Sequence, residues 1–138
     1  MFVVCVPKEM DVMQCTPVPS MAQYAHLPIY IKTYEFIKLN YRVVRQFRRE
    51  YKYTLGEELQ KISWSMLDEI IRTNSLPNVA KKDGIGKLSV LFDTFKVRFR
   101  LAYEIGLIKD KKFAAAQVQM EEIGNMTGGW AKWAEGVR

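Results

Sequence analysis

"PIYIKTYEFIKLNYRVVRQFRRE", residues 28–50, is the stretch that decides the fold. Proline opens it, and proline suits a first helical position because its missing N–H would find no partner there and its φ is already helical. Apolar residues then recur at Phe36, Val43 and Phe47, and on a neighbouring line at Ile37, Tyr41, Val44 and Tyr51. That is the spacing of a helix with one buried face, not the alternation of a strand.

Three further stretches repeat the pattern. In "TLGE" the Thr54 hydroxyl and Glu57 carboxylate have the spacing of a capping box, which satisfies orphan amides at a helix start. The helix it opens aligns Leu55, Leu59, Ile62, Met66 and Thr73, and Pro77 stops it. "KKDGIG", residues 81–86, reads as a polar linker. Beyond it Leu88, Leu91, Phe95, Phe99 and Ala102 form a stripe that ends near Gly106. Asp110 is the expected N-cap of a last helix carrying Phe113, Ala116, Met120, Ile123, Thr127 and Ala131 inward. No segment sustains period-two alternation. The expectation is an all-α, up-down-up-down antiparallel four-helix bundle over residues 28–138. Residues 1–27 carry Pro7, Pro17 and Pro19 without a period and read as a loose tail, with Met21 as an alternative start.

"EIGNMTGGWAKW", residues 122–133, puts three glycines into the last helix, each costing roughly 1 kcal/mol relative to alanine. Gly124 falls on the inward stripe and Gly128 close beside it, an arrangement expected to let a neighbouring helix approach. Gly129 lies on the far side, where packing inside the bundle does not account for it. Trp130 borders the stripe and is expected to fill the bundle end.

Composition narrows the function. The chain has 138 residues, is 49% hydrophobic and 26% charged, and carries a net charge of +6, which favours a polyanionic partner or surface. Cys5, Cys15 and His26 are too few and too far from the periodic region for a zinc site or a Cys-His nucleophile. Glu57 and Glu58, Asp68 and Glu69, and Glu121 and Glu122 are adjacent, so each pair diverges on a helix and cannot share a substrate as acid and base. Phosphate-loop, nucleophile-elbow, zincin and di-iron motifs are missing. The reading is a protein that is not an enzyme, without cofactor or metal. With no apolar run of membrane length and no signal-type N-terminus, it is expected in the cytoplasm.

Two features exceed what a monomeric bundle needs. The second helix has an apolar line of Trp64, Leu67 and Ile71 roughly opposite its core face, and the third has Val90, Val97 and Leu101. Apolar backs on two helices point to self-association, closing into a ring if unequal patches pair head to tail. Lys38, Arg42, Arg45 and Arg49 form one line on the first helix, flanked by Arg48 and Lys52. Residues 32–52 hold seven basic side chains against Glu35 and Glu50. The third helix adds Lys96, Arg98 and Arg100. A line of like charges with so few acids repels itself unless phosphates sit on it, so backbone contacts to RNA or DNA are expected, without base readout.

"FRREYKYTLGEEL" (47–59), "RFRLAYEIGLI" (98–108) and Glu122-Ile123-Gly124 with Gly128-Gly129-Trp130 resemble the accessory variability determinant (Avd) family of diversity-generating retroelements. That family is related to the four-helix-bundle proteins encoded in ribosomal-RNA intervening sequences. The resemblance covers about residues 27–134. It implies a ring-like homopentamer with a basic surface that associates with a reverse transcriptase and supports mutagenic cDNA synthesis from a template RNA, with no catalytic residues of its own. On that reading Lys38, Arg42, Arg45, Arg49, Lys96 and Arg100 would hold RNA or cDNA beside the polymerase. An intervening-sequence protein and a protein-only scaffold are the alternatives. Arg48 stands where family members often carry proline, and the first helix is therefore expected to run further here.

Overall fold

The computed structural model describes the backbone of residues 2–7, 13–18 and 24–137, with side chains described over 24–137. Four long helices form the bundle: α1 (Pro28–Arg45), α3 (Glu57–Ser75), α4 (Lys81–Glu104) and α5 (Asp110–Glu135). A short α2 (Arg49–Tyr51) and a π turn (Lys52–Gly56) lead directly into α3. The main packing contacts run α1 to α3, α3 to α4, α4 to α5 and α5 back to α1, a closed square. Residue numbers rise on one helix as they fall on its neighbour. Gly56 lies against Val44 while Trp64 meets Tyr41, and Glu58 meets Arg98 while Thr73 meets Gly84. This is the antiparallel four-helix arrangement expected from the periodicity.

The core is aromatic along its length. Phe36 meets Phe95 edge-on at 5.2 Å, Phe95 stacks on Phe99 at 5.4 Å, and Phe113 stacks on both Phe99 and Tyr103. Leu59, Met66, Ile70, Leu88 and Ile123 fill the space between. Thr33 and Asn40, one turn pair apart on α1, are buried in this core with the Thr33 hydroxyl and both Asn40 amide atoms unpaired among the described residues. Tyr103 donates its phenol to Asp110 Oδ1 at 2.7 Å, a bond that holds the phenol's pKa up.

Several local expectations change. The Thr54–Glu57 box is not a cap, because the chain is already helical there: Thr54 Oγ1 donates to the Glu50 carbonyl inside the π turn. Gly56 is present for closeness, since a Cβ would stand 2.7 Å from Val44 Cγ1. "KKDGIG" is not a linker but the first turns of α4. A Cβ on Gly84 would meet the Thr73 side chain at 2.1 Å, and Lys81 is buried with its ammonium donating to the Asn74 and Leu76 carbonyls at 2.8 and 2.9 Å. Those carbonyls are orphans of the α3 end, so Lys81 satisfies them, and burial lowers its pKa.

α1 stops at Arg45 rather than running on. Arg48 takes φ −60 and ψ 147, values proline also adopts, so the break survives without the ring. The N-cap of α5 is Lys109, with Asp110 as its first residue. Around Gly124, Phe92 Cε1 lies 3.6 Å from where a Cβ would be, an ordinary contact, and nothing approaches Gly128 or Gly129. The expected close approach at Gly128 is therefore absent. Gly124, Gly128 and Ala131 instead line one wall of a shallow groove against Gly86 and Ser89 of α4. Trp130 packs against the core as expected.

Outside the bundle, where a loose tail was expected, Phe2–Pro7 (β1) pairs antiparallel with Met13–Val18 (β2). The side chains of Cys5 and Cys15, and the alternative start at Met21, lie outside the described residues.

Candidate nucleic-acid interface

The basic residues of α1 reach solvent because the buried face of that helix is fixed by Phe36, Ile37, Val43 and Val44. Lys38, Arg42 and Arg45 consequently point away from the core, and Arg48 and Arg49 continue past the break. Lys52 is half-buried at the α1–α3 junction.

The predicted cations divide by their acid partners. Lys96 Nζ lies 3.2 Å from Asp93, Arg100 Nε 2.8 Å from Glu104, and Lys38 Nζ 3.1 Å from Glu35, all within one helical turn. Arg42, Arg45, Arg48, Arg49 and Lys52 form no ion pair among the described residues. Arg98, also read from the sequence, pairs with Glu58 across the α3–α4 contact. Lys96 and Arg100 belong to α4, whose main contacts are with α3 and α5, so they are not brought to the α1 line.

The structure adds cations that sequence reading missed. α4 ends in a Schellman motif: Leu107 N–H donates to Ala102 O and Gly106 N–H to Tyr103 O, with Gly106 at φ 87. The turn places Lys109 and Lys112 beside the C-terminal end of α1. Arg42, Arg45, Lys109 and Lys112 thereby line one cavity of about 390 Å³ with Gly106, Leu107 and Ile108. Four cations from two segments around one concavity, with no carboxylate in its lining, are suited to a bound polyanion.

On the opposite flank, α1 and α3 enclose a furrow. Tyr41 and Arg42 line both of its adjoining cavities, of about 310 and 340 Å³. Trp64 crosses from α3, and its Nε1–H donates to the Tyr41 hydroxyl at 2.8 Å.

The two apolar lines therefore do not merge into one patch. Leu67, read as part of an exposed back, is buried, and Ile71 is half-buried, because α1 packs against that flank of α3. Trp64 belongs to the α1–α3 furrow. Val90, Val97 and Leu101 are 65%, 69% and 49% exposed and form a separate outward line on α4. Thr94 lies on the same line, its hydroxyl turned back to the Val90 carbonyl at 2.8 Å.

Among the described residues no cluster of three or more His, Cys, Asp or Glu side chains could hold a metal ion, and no helix is long and apolar enough to cross a membrane. A family model described as bAvd-like matches residues 27–134, which take in α1, α3, α4, all but the last residue of α5, and both basic segments. No curated protein matches the chain.

Proposed function

The chain belongs to the bAvd-like family, and on that premise we propose that it is a non-catalytic accessory protein of a diversity-generating retroelement. It holds template RNA and nascent cDNA against its basic face and associates with the reverse transcriptase that copies them. The observation that carries this reading is the set of exposed arginines on α1 without acid partners, extended by Lys109 and Lys112. Phosphates relieve the mutual repulsion of such a line, and the released counterions drive association.

The outward line of Val90, Val97 and Leu101 supports self-association, and a homopentameric ring is the assembly proposed. A ring repeats the basic face around its axis and turns several weak phosphate contacts into one strong one. Light scattering at moderate and high salt tests the assembly. A salt-resistant mass about five times the 16.1 kDa of one chain is expected, and a salt-independent monomer would remove the ring. Binding to RNA tests the rest. Affinity should fall linearly on a log–log plot between roughly 50 and 200 mM salt, with a slope set by the number of phosphates engaged. An absence of binding at the lowest salt would overturn the nucleic-acid reading. Co-purification with the reverse transcriptase, and loss of cDNA without the chain, test the accessory role.

A further inference from the structure

We propose that the α1–α3 furrow binds single-stranded nucleic acid, stacking unpaired bases on Tyr34, Tyr41 and Trp64 while Arg42, Arg45 and Lys52 hold the adjoining phosphates. This rests on the nucleic-acid reading above and adds the form of strand recognised.

Three large aromatic side chains, Tyr34, Tyr41 and Trp64, remain 41%, 44% and 40% exposed along one furrow. Their rings are held in place. The Trp64–Tyr41 hydrogen bond spans the two helices, and Tyr34 stacks parallel on Tyr30 with centroids 6.1 Å apart. Fixed rings lose little freedom when a base lands on them. Cations alternate with these rings. Lys38 sits 4.9 Å above the Tyr34 ring, and Arg42, Arg45 and Lys52 line the next cavity with Tyr41. Ring faces beside cations, of which Arg42, Arg45 and Lys52 lack acid partners among the described residues, are what a single strand uses, since every base has a π face and every linkage a charge. A duplex keeps its base faces inside its own stack and would leave these rings idle. An acidic protein would match the charge but does not carry a large π face beside every charge, as a nucleic-acid strand does.

The test compares fluorescently labelled RNA and DNA single strands with a duplex of one sequence, using anisotropy on the full chain. Single strands of either sugar should bind at least about tenfold more tightly than the duplex. The Tyr41→Leu/Trp64→Leu variant should lose about tenfold for single strands and leave duplex affinity unchanged. The salt slope should also persist, because the phosphate contacts remain. The Trp64→Phe variant, which keeps a ring and the fold, should retain most of the single-strand preference. Equal affinity for both forms, or a Trp64→Phe loss as large as that of the double leucine variant, overturns the stacking role and leaves the phosphate reading standing. Polyglutamate binding as tightly as RNA overturns it in favour of an acidic protein. Binding to no nucleic acid at low salt removes both readings.

Discussion

On α4, Lys96 and Arg100 each find a carboxylate one turn away, Asp93 before the first and Glu104 after the second. On α1, Arg42 and Arg45 find none, and the chain continues through Arg48 and Arg49 in the same state. Exposed pairs of this kind hold each other by only about 0.3–0.5 kcal/mol, too little to keep a cation from a phosphate. Their acids act otherwise, by cancelling the field a few ångströms out, where an approaching polyanion would feel it. Two pairs of exposed cations, Arg42 with Arg45 and Lys96 with Arg100, therefore present different potentials, and the difference lies in where the acids are placed.

The strongest way to break this comparison is Arg42→Glu with Arg45→Glu. RNA affinity at low salt should fall by about a hundredfold, and the salt slope should drop by roughly 1.5, read by anisotropy across a salt series. The same reversal at Lys96 and Arg100 should cost less than about threefold, and matching losses would show that the two faces act alike. Baring the α4 cations with Asp93→Asn and Glu104→Gln should raise affinity by about twofold at low salt, sharpening the role given to the acids. The smallest effect is on stability. Arg45→Gln removes a repelling neighbour and should gain about 0.3 kcal/mol in denaturant unfolding, whereas Arg100→Gln loses a pair and should cost about as much. Equal signs for the two would contradict the comparison.

The pairing on α4 was in the sequence all along, because Asp93 and Glu104 stand three before Lys96 and four after Arg100. The four helices were legible because Phe36, Met66, Phe95 and Ile123 sit on strong 3.6-residue periods. What was not legible depends on neighbours far away in the chain. Gly84 is required by Thr73, and Lys81 is buried by the carbonyls it caps, yet their surroundings in sequence resemble a linker. Leu67 lies on the edge of its stripe and is buried only because α1 covers that edge. Lys109 and Lys112 join Arg42 and Arg45 through a turn whose direction Gly106 sets, and no local pattern encodes that meeting. The furrow rings were visible as residues but not as a set, since Trp64 and Tyr41 are 23 positions apart.

The π turn at Lys52–Gly56 bears on which length changes this chain can survive. A π turn holds one residue more than an α turn in the same space. Removing a residue from within it converts the turn to ordinary α-helix and leaves the faces on either side where they were. Removing one a few positions later, between Leu59 and Met66, turns everything beyond by about 100° and swings Ile70 and Thr73 out of the core. Single-residue deletions along the α2–α3 rod are thus confined to this turn, which adjoins the basic face.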